Sequence, residues 1–273
     1  MPTDRTITAA DGTELVVRSS GHGRPIVFLH GSNGGLDSWA EIAEGFPDHS
    51  VWIVARRGYR PSGIPLSPNT FAVEAEDVLL VVRAAAEQTG KRAHLVGGSY
   101  GATLALHAAK ASTEHIASLA LFEPPLLLSG EHLRPVLVDY RRCYAAGEYA
   151  EALGVFVREV ARIPEEVLAA APSDPPDGDE AKRAATGALV DLEAMAADTA
   201  DTNRWKTIDV PVLLMQGGDT WAPLSTGMDD LATALPSARR VVWDGESHFA
   251  TSTVPELVVN ALRGFFDDVD ESR

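Results

Sequence analysis

Short continuous apolar runs, each bounded by turn residues, recur along the chain. After a polar start, ELVVRSS (14–20) has the length and the β-branched content of a strand, and RPIVFLH (24–30) and SVWIVAR (50–56) follow as compact apolar blocks. RAHLVG (92–97), IASLALFE (116–123), VPVLLMQG (210–217) and ARRVVWD (238–244) repeat the pattern, three of them after helical segments. Apolar residues that run together instead of alternating predict strands covered on both faces, as in a parallel sheet with helices on each side. Between 69 and 90 the period changes: Phe71, Ala75, Val78, Val82 and Ala85 recur at intervals of four and three, with Thr70 as N-cap and Gly90 as the stop. The expected fold class is therefore α/β, with a mostly parallel central sheet flanked by helices.

The rhythm breaks between 124 and 209. No strand pattern occurs there, while 132–161 and 179–200 are helix-rich and amphipathic. Strand-like runs resume at Val210. The expected organisation is one domain, with 1–123 as the first part of the core, 124–209 as a helical cap or lid inserted over the sheet, and 210–273 as the rest of the core. The stretch APSDPPDGDE (171–180) is rich in Pro and Asp and is expected to be a solvated surface loop.

Composition narrows the classes of partner. A formal charge of −16 repels phosphate backbones and anionic lipid, so neither nucleic acid nor a membrane surface is an expected partner. The single cysteine, Cys143, allows no intrachain disulfide and no cysteine-based zinc site. The first residues, MPTDRTITAADG, lack a basic segment followed by an apolar one, and no apolar run nears the roughly 18 residues of a membrane span. These features predict a cytoplasmic protein. HExxH, Cys–His clusters and phosphate-cradling glycine loops are missing, so neither metal nor organic cofactor is expected.

Three positions carry candidate chemistry. In HLVGGSYGATLALHAA a strand runs into Gly97-Gly98-Ser99-Tyr100-Gly101 and then into a helix, which places Ser99 on a sharp turn at the carboxyl edge of the sheet. A serine hydroxyl is a weak nucleophile and needs a base, a group that orients the base, and donors for the oxyanion that forms. Asp219 in GGDT and His248 in DGESHFA each follow a later strand, and Ser99, Asp219, His248 is the nucleophile, acid, base order of such a sheet. After the strand PIVFL, the glycine-rich FLHGSNGG (28–35) is expected to aim the Ser32 N–H at the space faced by the Tyr100 N–H, forming an oxyanion hole. His30 is expected to support that loop, and Asn33, Trp39, Trp221 and Phe249 are expected to bind substrate.

HGSNGG, GGSYG, GGDT and SHF, in this order, resemble the α/β-hydrolase fold family over nearly the whole chain outside the insertion. The resemblance implies an eight-stranded sheet, a helical cap, and Ser99, Asp219 and His248 as nucleophile, acid and base. Two departures stand out. ARRGYRPSG places Ala55 and Arg60 where relatives have Asp and Gly, a change expected to bear on loop conformation more than on chemistry. LFEPP places Glu123 after the strand preceding the cap, where some relatives carry their acid; Asp219 is preferred for its glycine-flanked loop and the proline-bounded helix that follows. The expected activity is hydrolysis of a small hydrophobic carboxylic ester, lactone or thioester through an acyl-enzyme. The same triad would also serve carbon–carbon bond hydrolysis or cofactor-free perhydrolysis, and a ligand-binding receptor that kept the fold is the alternative outside catalysis. Cap residues such as Leu126, Leu127, Leu128, Tyr140, Phe156 and Met195 are available to wall an apolar pocket or to pack the cap itself.

Overall fold

The structure, a computed structural model, describes residues 2–170 and 176–272. Eight strands form one sheet in the order β1 (Thr3–Thr8), β2 (Glu14–Ser20), β4 (Ser50–Val54), β3 (Pro25–Leu29), β5 (Ala93–Gly98), β6 (Ile116–Phe122), β7 (Val212–Gly217) and β8 (Arg239–Trp243). Only the β1–β2 and β2–β4 pairings are antiparallel; from β4 to β8 the ladder is parallel, so those carboxyl ends share one edge. β3, β5 and β6 are buried along their whole length, as their unbroken apolar runs predict.

Alternate residues of each strand face opposite layers. Val27 and Leu29 pack with α2 (Phe71–Thr89) and α3 (Tyr100–Ala111), whereas Ile26 and Phe28 pack with α1 (Ala40–Glu44) and, near the C-terminus, Pro255–Glu271. Each such side chain, fully removed from water, contributes about 1.5–3 kcal/mol. The expected helix boundaries at 70 and 90 hold: Thr70 Oγ1 accepts from the Val73 N–H at 3.2 Å, and Gly90 ends the helix at φ 68°. The eighth strand that the resemblance implies is β1, which matches none of the apolar runs. It is a polar edge strand, held by its ladder to β2 and not by burial, so it carries no apolar run to read.

Between β6 and β7 the regular elements of the described residues are all helical. They are α4 (Arg134–Ala145), α5 (Tyr149–Val155), a π-helical stretch over Phe156–Ala161, α6 (Glu165–Ala170) and α7 (Gly178–Ala197), with short 3-10 turns. Of the loop expected over 171–180, residues 171–175 lie outside the described residues, and Gly178–Glu180 form the first turn of α7. Two helices remain before the C-terminal one: α8 (Leu224–Ala234) and α9 (Ala250–Thr253), which makes Pro255–Glu271 α10. Among the described residues no helix is long and apolar enough to cross a membrane.

The loop after β4, which carries Ala55 and Arg60, is tied down on two sides. Arg57 donates to both carboxylate oxygens of Asp77, at 2.6 and 2.9 Å, and to Asp11 at 2.8 Å. Ser62 Oγ, which donates to the Ala55 carbonyl and accepts from the Val16 N–H, ties the loop back to β2.

Candidate active site

Ser99 follows β5 directly and is the residue from which α3 starts, with φ 52° and ψ −121°. A positive φ on a non-glycine residue is strained and persists only where surrounding contacts impose it. Here the backbones are too close for alternatives. A Cβ on Gly97 would lie 2.3 Å from the Gly101 carbonyl oxygen, and one on Gly101 would lie 2.3 Å from that of Leu29. The two flanking glycines therefore let β5, α3 and the end of β3 converge, and the serine hydroxyl stands clear of the sheet edge. Asn33 and Glu123 also have positive φ, 59° and 42°, so three of the four such non-glycine residues in the described chain lie at this edge.

His248, in the loop after β8, reaches the same point. Its Nε2 lies 3.1 Å from Ser99 Oγ, so the structure brings these two expected residues together. The carboxylate on the other side of the ring is not the expected one. His248 Nδ1 lies 2.5 Å from Glu123 Oε2, and Asp219 is exposed, its side chain without a hydrogen-bond partner among the described residues. The expectation for Asp219 is thus corrected: the carboxylate that the structure brings to the imidazole is that of Glu123. The physical reason lies in the strand order. Glu123 directly follows β6, the neighbour of the strand that leads into Ser99, and is fully buried; Asp219 lies two residues beyond the end of β7, where its backbone N–H donates to the Glu246 carbonyl at 2.8 Å and its side chain is exposed. A buried carboxylate needs donors. Glu123 has the Gly217 N–H at 2.8 Å on Oε1, and the Thr220 hydroxyl at 3.0 Å together with the imidazole on Oε2. With Glu123 accepting at Nδ1, Nε2 is left to accept from the Ser99 hydroxyl.

Ser32 and Tyr100 flank the hydroxyl. Gly31 approaches so closely that a Cβ there would meet Ser99 Cβ at 3.1 Å. The backbone N–H groups of Ser32 and Tyr100 have no acceptor among the described residues, as donors reserved for a ligand would. The Ser32 hydroxyl is engaged elsewhere, donating to Asp191 Oδ2 at 2.7 Å. His30 is fully buried beneath this loop. Its Nε2 accepts from the Arg56 N–H at 3.2 Å, and burial, reinforced by the neighbouring Arg56 guanidinium, holds it well below the usual histidine range and hence neutral. Arg56 is itself buried, with Asp191 and Glu74 as counter-charges. Burial raises the Glu74 carboxyl above its ordinary value, and the Tyr100 hydroxyl donates to it at 2.5 Å.

A cavity of about 250 Å³ opens above Ser99 and His248. Pro125, Leu128, Phe156, Val157, Val160, Ala161, Ile163, Met195, Trp221 and Leu224 give it an apolar wall, and Ser32, Asn33, Ser99 and His248 a polar end. Of the residues expected to bind substrate, Asn33, Trp221 and Phe249 line it. Trp39 does not. It is buried in the opposite layer, 5.2 Å from the Phe28 ring and against Gly98, where it supports the turn from behind. Leu128, Phe156 and Met195 face the cavity, whereas the Tyr140 hydroxyl donates to the Ala185 carbonyl and packs the helices together. Val157, Val160 and Ala161 carry no legible pattern in the sequence, because the π-helical stretch that holds them breaks the 3.6-residue period, and Ile163 follows it in a loop.

Comparisons with known proteins agree with this fold. Residues 24–253 match the family model described as the alpha/beta hydrolase fold. The chain is 25% identical over 284 residues to a non-heme chloroperoxidase of Streptomyces lividans, covering 95% of this chain and 98% of that protein. It is 26% identical to a non-heme haloperoxidase of Rhodococcus erythropolis, covering 93% and 96% respectively. The crystal structure of an alpha/beta hydrolase from Sphaerobacter thermophilus superposes with a TM-score of 0.78 at 28% identity, over 96% of this chain and all of that one. On these grounds the chain belongs to the α/β-hydrolase fold family and is a hydrolase.

Proposed function

We propose that the protein hydrolyses a small, neutral, hydrophobic carboxylic ester, lactone or thioester through an acyl-enzyme on Ser99. The observation that carries this reading is the hydrogen-bonded line from Ser99 through His248 to Glu123 at the floor of a cavity lined by no Lys, Arg, Asp or Glu among the described residues. Such a wall offers an anionic substrate no counter-charge and a neutral acyl group an apolar seat. The volume, about eight waters at ~30 Å³ each, suits a short acyl or aryl group.

In this reading Ser99 Oγ attacks the carbonyl carbon while His248 Nε2 takes its proton. Glu123 holds the ring and stabilises the imidazolium. The Ser32 and Tyr100 N–H groups receive the oxyanion; the protonated His248 then delivers its proton to the leaving alkoxide, and water, deprotonated by the same nitrogen, releases the acid. The helices of 124–209 act as a cap, since they supply most of the apolar wall. The names of the two relatives favour a second reading for the same acyl-enzyme, in which hydrogen peroxide instead of water takes the acyl group and leaves as a peroxyacid.

p-Nitrophenyl esters of increasing acyl length, with wild type and Ser99→Ala, test the proposal. Turnover of short esters that vanishes in the variant is the expected result; turnover undiminished in Ser99→Ala contradicts it. Peroxyacid formed faster than acid when peroxide is added would favour the second reading.

A further inference from the structure

We propose that Asp191, on α7 in the helical segment between β6 and β7, is a positioning residue that aims the Ser32 N–H into the oxyanion site, so that seating those helices completes the catalytic machinery. The proposal rests on the acyl-transfer reading above. Asp191 is fully buried, and its carboxylate accepts four hydrogen bonds, one from Ser32 and three from Arg56 and Tyr59. Oδ2 accepts from the Ser32 hydroxyl at 2.7 Å, the Tyr59 hydroxyl at 2.6 Å and Arg56 Nη2 at 3.0 Å, and Oδ1 accepts from Arg56 Nη1 at 2.8 Å.

What these groups hold is one peptide plane. The Gly31 carbonyl and the Ser32 N–H belong to the same rigid unit and point in opposite directions, so fixing one fixes the other. The Gly31 oxygen accepts from Arg56 Nη2 at 3.2 Å, the His30 oxygen from Arg56 Nε at 3.0 Å, and the Asn33 N–H donates to the Tyr59 hydroxyl at 3.2 Å. Arg56 and Tyr59 thus grip the loop on both sides of Ser32, and Asp191 grips Arg56, Tyr59 and Ser32 itself. The second oxyanion donor is tied to the same cluster: the Arg56 guanidinium lies 4.2 Å over the Tyr100 ring, and the Tyr100 hydroxyl donates to Glu74, which also pairs with Arg56. A cluster serving only as glue would need no bond to Ser32, whose neighbouring N–H is left without an acceptor among the described residues.

Asp191→Asn keeps the shape and removes the charge that orders Arg56. Misplacing one oxyanion donor is expected to lower kcat by about 10- to 100-fold with KM changed less than about threefold. A trifluoromethyl ketone analogue of the substrate, which forms an oxyanion on Ser99, should lose affinity by the same factor, while the product acid should not. Where Asp191→Asn does not fold, Ser32→Ala removes only the hydroxyl link and keeps the N–H. Alone it should lower kcat in the wild type, and where Asp191→Asn does fold it should add nothing in that background. An additive loss would mean that the Ser32 hydroxyl acts on the substrate directly, against the proposal. Lowered thermal stability with kcat and ketone affinity unchanged would also overturn it. The ¹⁵N order parameter of the Ser32 amide reads the positioning without turnover: a fall from about 0.85 toward 0.6 in either variant supports the role, and an unchanged value refutes it. Wild type inert toward all esters would refute the acyl-transfer reading instead, with the order parameter still deciding what Asp191 holds.

Discussion

Replacing Glu123 by Gln changes almost no volume, yet the surroundings leave the amide no good orientation. Oε1 faces the Gly217 N–H, a donor that cannot rotate, while Oε2 faces the Thr220 hydroxyl and His248 Nδ1. If the amide oxygen keeps the Gly217 bond, its NH₂ points at Nδ1, the ring proton moves to Nε2, and Ser99 meets a donor where it needs a base. The flipped amide sets NH₂ against N–H, a buried mismatch costing about 1–3 kcal/mol. The lost charge matters separately. A carboxylate and an imidazolium with centres about 4 Å apart attract by ~4 kcal/mol at an effective dielectric of about 20, or roughly three orders of magnitude in rate. Together these place kcat for Glu123→Gln about 10³- to 10⁴-fold below wild type, with KM within a few-fold and the fold intact. The assay is p-nitrophenyl ester turnover, with circular dichroism to check folding. Asp219→Asn is the matched control: exposed and unpaired among the described residues, it should stay within about threefold of wild type. Glu123 does not orient the base if Glu123→Gln keeps more than about a tenth of the activity or Asp219→Asn loses as much as Glu123→Gln should.

Stability should fall as the solution is acidified below neutrality. His30 is held well below its ordinary value, chiefly by burial. Above about pH 6.5 it is neutral in both folded and unfolded chains; below that, the unfolded chain gains a proton that the folded one refuses, at up to ~1.4 kcal/mol per pH unit until the folded value is reached. Urea unfolding at pH 7 and 5.5 measures this, and the shallower slope expected for His30→Gln separates it from Glu74, whose raised value acts in the opposite sense; equal slopes would contradict the argument. In the cavity, Val157 is half-buried on the wall, so Val157→Phe should fill space without disturbing the core. Each methylene that no longer fits forfeits up to ~0.8 kcal/mol, so the preference should shift toward shorter acyl chains by roughly fourfold in kcat/KM per carbon; an unchanged chain-length profile would mean that the acyl group lies elsewhere.

The sheet core was legible because buried parallel strands must be apolar on both faces, and runs such as PIVFL and AHLVG have no competing explanation. The serine turn was legible because close approach of β5, α3 and β3 demands glycine at 97 and 101. Strand β1 escaped, since an exposed edge is held by ladder bonds to which the side-chain pattern is blind. Which carboxylate meets the imidazole is illegible for a related reason. Glu123 and Asp219 follow neighbouring parallel strands, so chain order places both at one edge, and only the path of the loop after β8 decides between them. A signal for Glu123 did exist: a carboxylate closing an otherwise unbroken apolar strand and followed by two prolines sits where burial is costly without a partner. The Arg56–Asp191–Ser32 cluster spans 159 residues of sequence between Ser32 and Asp191, and no local pattern encodes such a meeting.

In the proposed reaction Ser99 Oγ is the atom that takes the acyl group. Treating the protein with a short-chain alkyl fluorophosphonate and measuring intact mass, then locating the adduct by peptide mapping, tests it directly. One phosphonyl group per chain on Ser99, lost in Ser99→Ala and formed far more slowly in His248→Ala, is the result expected. An adduct on another residue, or ester turnover that continues with Ser99 fully blocked, would contradict it.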